Sequence, residues 1–317
     1  MKHLHGSADS DSSECWPELA FDSWKETCAT LHMWMQIVGK VRLALAPATN
    51  HWWNVPLYVS ARGLTTSLIP YGTKSFEVEF DFVEHQLRVD ASNGQGEQLK
   101  LAPRSVADFY AEFMAMLKQL GIEVAIWKMP VEVADPIPFD KDHTHASYDA
   151  ASVLKFWRIL VSTDYVFKVF STRFIGKTSP VHFFWGSLDL AVTRFSGRRA
   201  PPRNDADPIL KKIMAEAYSH EVISAGFWPG GGGTDDAAFY CYAAPQPVGF
   251  EKQALRPKQG FYNSAIGEYV LMYEDLRKAS SPTAALLEFL QSTYDAGANT
   301  GKWDREALEK SRELASD

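Results

Sequence analysis

The chain has 317 residues, of which 46% are hydrophobic and 13% aromatic, ten of them Trp. That composition can build a dry core and excludes a disordered chain. A formal net charge of −7 excludes a general phosphate-backbone binder, so nucleic acid is not an expected partner. Three cysteines without CxxC spacing exclude a disulfide framework and a cysteine zinc site, and they fit a reducing, cytoplasmic setting.

Met1 to Glu14 is rich in Ser, Asp and His and has no apolar stretch of the signal-peptide kind. It reads as a disordered tail or cloning remnant, residues 1–14. From Trp16 to Val38, Leu19, Trp24, Cys28, Leu31, Trp34, Met35 and Val38 recur near helical spacing, which predicts a helix closed by Gly39. Strands are expected over 41–46 and 55–62. Phe76 to Phe82 alternates apolar with acidic residues and predicts a half-buried antiparallel strand. Leu87-Arg88-Val89 continues the meander, and Asn93-Gly94 marks a hairpin turn into Leu99-Lys100-Leu101. Ser105 is the expected N-cap of a helix over 105–120, with Asp108 three residues on. A strand is expected from Val124 to Val133, then a Pro-rich linker from Asp135 to Asp140. Tyr148 to Phe174 predicts an aromatic-rich helix and Val181 to Phe195 one long strand. A loop follows over Arg198 to Asp207, and Pro208 opens a helix to Tyr218. Strands are expected over 221–228, 238–243 and 268–273, and a final helix over 282–297. No apolar run reaches the roughly 18 residues that span a bilayer, so no membrane partner is expected.

The same order occurs twice. Ile37-Val38-Gly39-Lys40 is echoed by Phe174-Ile175-Gly176-Lys177, and His51-Trp52-Trp53 by His182-Phe183-Phe184-Trp185. Ser105 to Gly121 matches Ser281 to Gly297 at constant offset. The expected class is α+β, an internally duplicated unit of helix, antiparallel β-meander and helix, with sheets covered by helices. The first repeat would span 15–140. The second would span 141–317, with an extra helix and the glycine-rich loop. Duplicated units often meet at a seam that forms a pocket.

Several residues carry chemistry, each with a plain structural alternative. Asp189 lies in an apolar run and would share a face with Val181, Phe183, Trp185, Ala191 and Thr193. A carboxylate there is either an acid/base group or a bridge between elements. His220 and Glu221 stand where a helix meets a strand. His220 is a candidate base or metal ligand, or a helix-terminal histidine with Glu221 in a surface pair. His182 could join His220 on one divalent metal, although no HxH or HxxxH spacing supports it. Arg194, Arg198 and Arg199 form a basic cluster that could clamp a carboxylate or phosphate, or belong to a solvated loop that pairs with Asp205 and Asp207. Trp185, Trp228, Gly230 and Gly231 are the expected substrate-binding residues. The run Gly230 to Gly233 is otherwise a hairpin connection. Cys241 reads as a buried strand residue.

Trp16-Pro17-Glu18-Leu19, Ala61-Arg62-Gly63-Leu64-Thr65-Thr66, Ser179-Pro180-Val181-His182-Phe183-Phe184-Trp185-Gly186-Ser187 and Gly226-Phe227-Trp228-Pro229-Gly230-Gly231-Gly232 make the chain resemble an uncharacterised bacterial family, domain-of-unknown-function family 5996, over about residues 16–310. The resemblance implies a bacterial, soluble protein and brings no catalytic residues. It also implies Cys near position 178, where this chain has Thr178.

Three functions follow as expectations. The first is a small-molecule enzyme using acid/base or hydrolytic chemistry in an aromatic-lined pocket, with one divalent metal as the cofactor to look for. The second is a non-catalytic binding protein for an apolar, aromatic or tetrapyrrole ligand, with His182 or His220 as the axial group for haem. The third is a homo-oligomeric interaction protein.

Overall fold

The structure is a computed structural model and describes residues 12–202, 208–232 and 234–310. The tail expected over 1–14 lies outside the described residues up to position 11. In chain order the helices are α1 (Ser12–Cys15), α2 (Lys25–Leu45), α3 (Val106–Gln119), α4 (Ala150–Ser171), α5 (Pro208–Ala217), α6 (Tyr273–Arg277), α7 (Pro282–Thr300) and α8 (Arg305–Leu308). The strands are β1 (Tyr58–Val59), β2 (Gly63–Thr65), β3 (Ile69–Tyr71), β4 (Lys74–Asp81), β5 (Gln86–Ala91), β6 (Gly96–Lys100), β7 (His182–Phe184), β8 (Asp189–Arg199), β9 (His220–Gly230), β10 (Asp236–Ala244), β11 (Phe261–Asn263) and β12 (Glu268–Met272). All paired strands run antiparallel, so the class is α+β. None of the described helices is long and apolar enough to cross a membrane.

The chain divides into two compact units, residues 19–157 with 182–189, and residues 1–18, 158–181 and 190–317. The Pro-rich stretch 135–140 lies inside the first of these, where Phe139 is fully buried.

The first unit carries a sheet ordered β1-β2-β4-β5-β6, with β3 also paired to β4. The alternation of β4 is satisfied: Phe76, Val78 and Phe80 are fully buried, while Glu77 and Glu79 accept hydrogen bonds from Thr65 and Ser60 on the other face. Asp81 ends β4. It accepts from the Val83 and Glu84 N–H groups and takes the Arg62 guanidinium at 2.5 Å. Burial alone would raise its pKa, but Arg62 and the two N–H groups outweigh burial and hold it below the usual carboxylate value. Ser105 caps α3 by accepting from the Asp108 N–H at 3.1 Å.

α2 continues through Gly39 to Leu45, where a helix end and a strand over 41–46 were expected. The glycine serves a close approach, because a Cβ there would lie 2.3 Å from the Trp185 indole nitrogen. Trp34 of α2 stacks on Phe109 of α3 at 4.7 Å, which fixes the two helices together. The strand expected over 124–133 is absent. Side chains of α2 take its place as hydrogen-bond partners for that backbone: Gln36 bonds both N and O of Val131 at 2.8 Å, and Lys40 donates to Met129 O at 2.7 Å.

In the second unit the strand order is β11-β12-β10-β9-β8. One face is core. Val192, Ile223, Phe227, Phe239, Cys241 and Leu271 are buried there, and Gly297 of α7 lets the helix press on Ile223. The single strand expected over 181–195 is two, β7 and β8, separated by a turn in which Leu188 has φ 56°. That break resets the alternation on which the face of Asp189 was inferred.

Candidate functional site

The polar groups collect on the other face of the second unit's sheet. β9 and β10 set Gly226 opposite Tyr240 and Ser224 opposite Tyr242, and β8 sets Thr193 opposite Ser224. Side chains alternate along a strand, so Thr193, Ser224, Gly226, Trp228, Tyr240 and Tyr242 share this face. Gly226 makes room for a ring, since a Cβ there would lie 2.3 Å from Cζ of Tyr240. Tyr240 stacks on Trp228, with ring centroids 4.1 Å apart and planes at 24°. Tyr242 continues the row, 6.1 Å from Tyr240 and nearly parallel to it. Tyr218 follows α5, and its hydroxyl lies 2.8 Å from that of Tyr242. Ser224, the register partner of Tyr242, has its hydroxyl 2.8 Å from that of Thr193. Thr193 with Ser224 and Tyr242 with Tyr218 thus set a chain of hydroxyls, in two bonded pairs, along this face.

That chain ends in a cleft of about 560 Å³. Pro201, Pro202 and Met214 supply apolar walls, and Tyr218, Tyr242, Gln246 and Glu268 supply polar ones. Glu268 opens β12, in register with Asn263. The side-chain amide oxygen of Gln246, Oε1, accepts from the Tyr262 hydroxyl at 2.9 Å. Burial pushes the Tyr242 phenol well above its ordinary pKa, so it remains protonated at any working pH and can act as a neutral hydrogen-bond donor or acceptor. Cys241, its neighbour, points into the core face, and burial pushes its thiol up to about 12, which makes it inert.

The residues singled out from the sequence divide between the units. In the second, Trp228 stands in the aromatic row but outside the cleft wall. His220 starts β9 opposite Arg199, and the Ser219 hydroxyl reaches its Nδ1 at 3.0 Å. Glu221 accepts from Arg198 Nη2 at 2.6 Å and from Ser196 at 3.0 Å. Arg198 also donates to the carbonyls of Gly301 and Lys302, so it ties the end of α7 to β9. The pairing of Arg198 with Asp205 and Asp207 concerns positions outside the described residues. Arg194 lies on the core face, 1% exposed, with its guanidinium over Phe170 at 3.4 Å and Tyr294 at 4.3 Å. Gly230 and Gly231, with φ 111° and 71°, turn β9 into β10, and Gly231 N–H donates to Asp235 O. Gly233 lies outside the described residues.

In the first unit, Trp185 donates its indole N–H to Val55 O at 2.9 Å. Asp189 accepts from the Ser187 hydroxyl. The Glu132 carboxyl is raised above its usual pKa, first by burial and then by the charge of Asp189. His182 is 1% exposed and ringed by Trp53, Tyr58 and Phe184. Among the described residues, no three His, Cys, Asp or Glu side chains converge as a metal site would require.

Tyr218, Tyr242, Ser224 and Glu268 were not singled out from the sequence. The available signal was Tyr240-Cys241-Tyr242, which puts two tyrosines on one face of a strand. Their partners lie on other strands, so the pairing register had to be known.

A family model matches residues 16–310, and its description is Family of unknown function (DUF5996). The chain belongs to that family. No curated protein and no solved structure matches the chain.

Proposed function

We propose that the protein binds a small molecule in the Tyr218–Tyr242 cleft. The observation that carries this reading is the pair of phenols, 2.8 Å apart, at the wall of a cleft of about 560 Å³. Small-molecule sites have this size and this make-up, apolar walls with a few convergent polar groups. The phenols recognise by neutral hydrogen bonds, and the prolines and Met214 offer flat apolar contact to a ring or short chain. Native mass spectrometry of the purified protein, beside its denatured mass, tests this. We expect a mass excess that Met214→Trp removes by filling the cleft, and that Tyr242→Phe weakens about tenfold through one lost hydrogen bond. A clean apo mass, or an excess indifferent to Met214→Trp, overturns the reading.

The hydroxyl chain favours a second reading, an acid/base enzyme on the same ligand. A row of hydroxyls can pass a proton along without leaving a net charge behind. Ser224→Ala breaks the row and leaves both phenols in place. Turnover of the released ligand would then fall while its affinity stays, and equal losses of both would remove the catalytic reading. In chain order α2, β1–β6 and α3 are followed by α4, β8–β12 with α5 inserted after β8, and α7 after the short α6, an order that supports an internal duplication.

A further inference from the structure

The first unit buries a cation beside no carboxylate. Arg42, near the end of α2, is 7% exposed and makes no ion pair among the described residues. Its Nε is enclosed and meets no hydrogen-bond partner, and the same holds for Nε2 of His182. Both side chains border one ring. The Arg42 guanidinium lies 5.6 Å from the Tyr58 centroid, its charged form favoured by the Tyr58 hydroxyl, and His182 meets Tyr58 edge-on at 5.6 Å. Trp53 and Phe184 flank the imidazole at 5.6 and 5.5 Å.

A largely buried guanidinium without a counter-charge is costly, and each enclosed nitrogen without a partner adds to that cost. The Tyr58 ring offsets part of it through cation–π attraction. A bound water could satisfy a nitrogen but brings no negative charge. An oxyanion supplies both, since its oxygens accept from Arg42 and His182 while its charge answers the guanidinium. The backbone beside the cluster points the same way. His51 and Trp52 are consecutive non-glycine residues with φ 59° and 61°, and strain of that kind persists where surrounding structure holds a segment for function.

We propose that Arg42, Tyr58 and His182 form an oxyanion site that takes the carboxylate or phosphate group of a small ligand. Arg42 supplies the charge, Tyr58 orients the guanidinium from its hydroxyl side, and His182 donates from Nε2. Burial, and then the charge of Arg42, push the His182 imidazole down to about 3. An anion settling beside it raises its proton affinity, so occupancy is readable at the imidazole itself.

The test titrates the full chain with inorganic phosphate and with acetate, against sodium chloride at equal ionic strength. Affinity is read by calorimetry and the histidine ring signals by NMR. We expect saturable binding of phosphate or acetate but not chloride, with the His182 signal moving, and the preferred anion names the ligand group. Arg42→Gln should abolish binding, and Tyr58→Phe, which removes one oxygen and keeps the ring, should weaken it about tenfold. Absence of saturable binding by both anions overturns the proposal. So does binding that leaves the His182 signal still and survives Tyr58→Phe, an arm that holds even if Arg42→Gln does not fold.

Discussion

Arg194 shows how one side chain can be charged and yet belong to the core. Its Nη2 donates to Phe170 O at 2.5 Å, and Phe170, Phe174 and Tyr294 surround the guanidinium at 3.4, 5.0 and 4.3 Å. Burial pushes its pKa down to about 10. Cation–π attraction and desolvation therefore oppose each other, and replacing a buried ion by an apolar residue of similar volume is often close to neutral. We expect Arg194→Met to change stability by less than about 1 kcal/mol. Arg194→Ala leaves a void among three rings and should cost about 3 kcal/mol. Urea unfolding of both variants checks this, and a Met variant as unstable as the Ala variant would mean that the charge itself is required. Alternation along β8 puts Arg194 on the face opposite Asp189. The three rings that enclose it come from α4, from the segment after it and from α7, and no local pattern could have joined them.

Among the elements, β9 and β10 depend on a glycine. Tyr240 lies across Gly226, so Gly226→Ala drives a methyl group into the phenol ring. The ring must leave its stack on Trp228, and we expect a cost of about 2 kcal/mol with loss of the near-ultraviolet dichroism of that pair. Unchanged dichroism would show that the sheet yields instead of the ring. At the start of α3, Ser105→Ala removes the cap on the Asp108 N–H and should cost about 1 kcal/mol in urea unfolding. That cap was legible because its partner lies three residues away. The strand β4 was legible because its alternation is local, and the turn at Gly94, with φ 86°, because Asn-Gly favours it. The end of α2 was not. Gly39 and the strand-like residues after it carry a stop signal, and only the indole of Trp185 shows why glycine stands inside the helix. The segment 124–133 failed for a related reason. Its composition suits a strand, but its hydrogen-bond partners are Gln36 and Lys40, far away in sequence.

At the scale of the whole molecule, the α+β class was legible because strand and helix periods are local, whereas the cleft needed the register of β8, β9, β10 and β12. The acid sensitivity of the molecule also depends on buried groups that composition cannot rank. His182 is 1% exposed and its imidazole is pushed down to about 3, first by burial and then by Arg42. His32, which meets Gly186 O at 2.9 Å, is also lowered, chiefly by burial. The folded chain keeps both rings neutral, while the unfolded chain protonates them below about 6.5. Their contribution to stability is therefore present above pH 6.5 and is lost as pH falls, for His182 over the window down to about 3. Glu132 works the other way, because its raised carboxyl binds a proton more readily when folded. Comparing two chains that differ only at position 182 cancels Glu132 and every other group. His182→Phe keeps a ring against Trp53, Tyr58 and Phe184 and removes the titration. Between pH 7.5 and 5.0 the unsubstituted chain should lose about 2 kcal/mol more than the variant, for a group shifted from 6.5 to about 3. Urea unfolding at the two pH values measures the difference directly. Equal losses in both chains would mean that His182 takes up its proton without unfolding, and that its enclosure opens more readily than its burial implies.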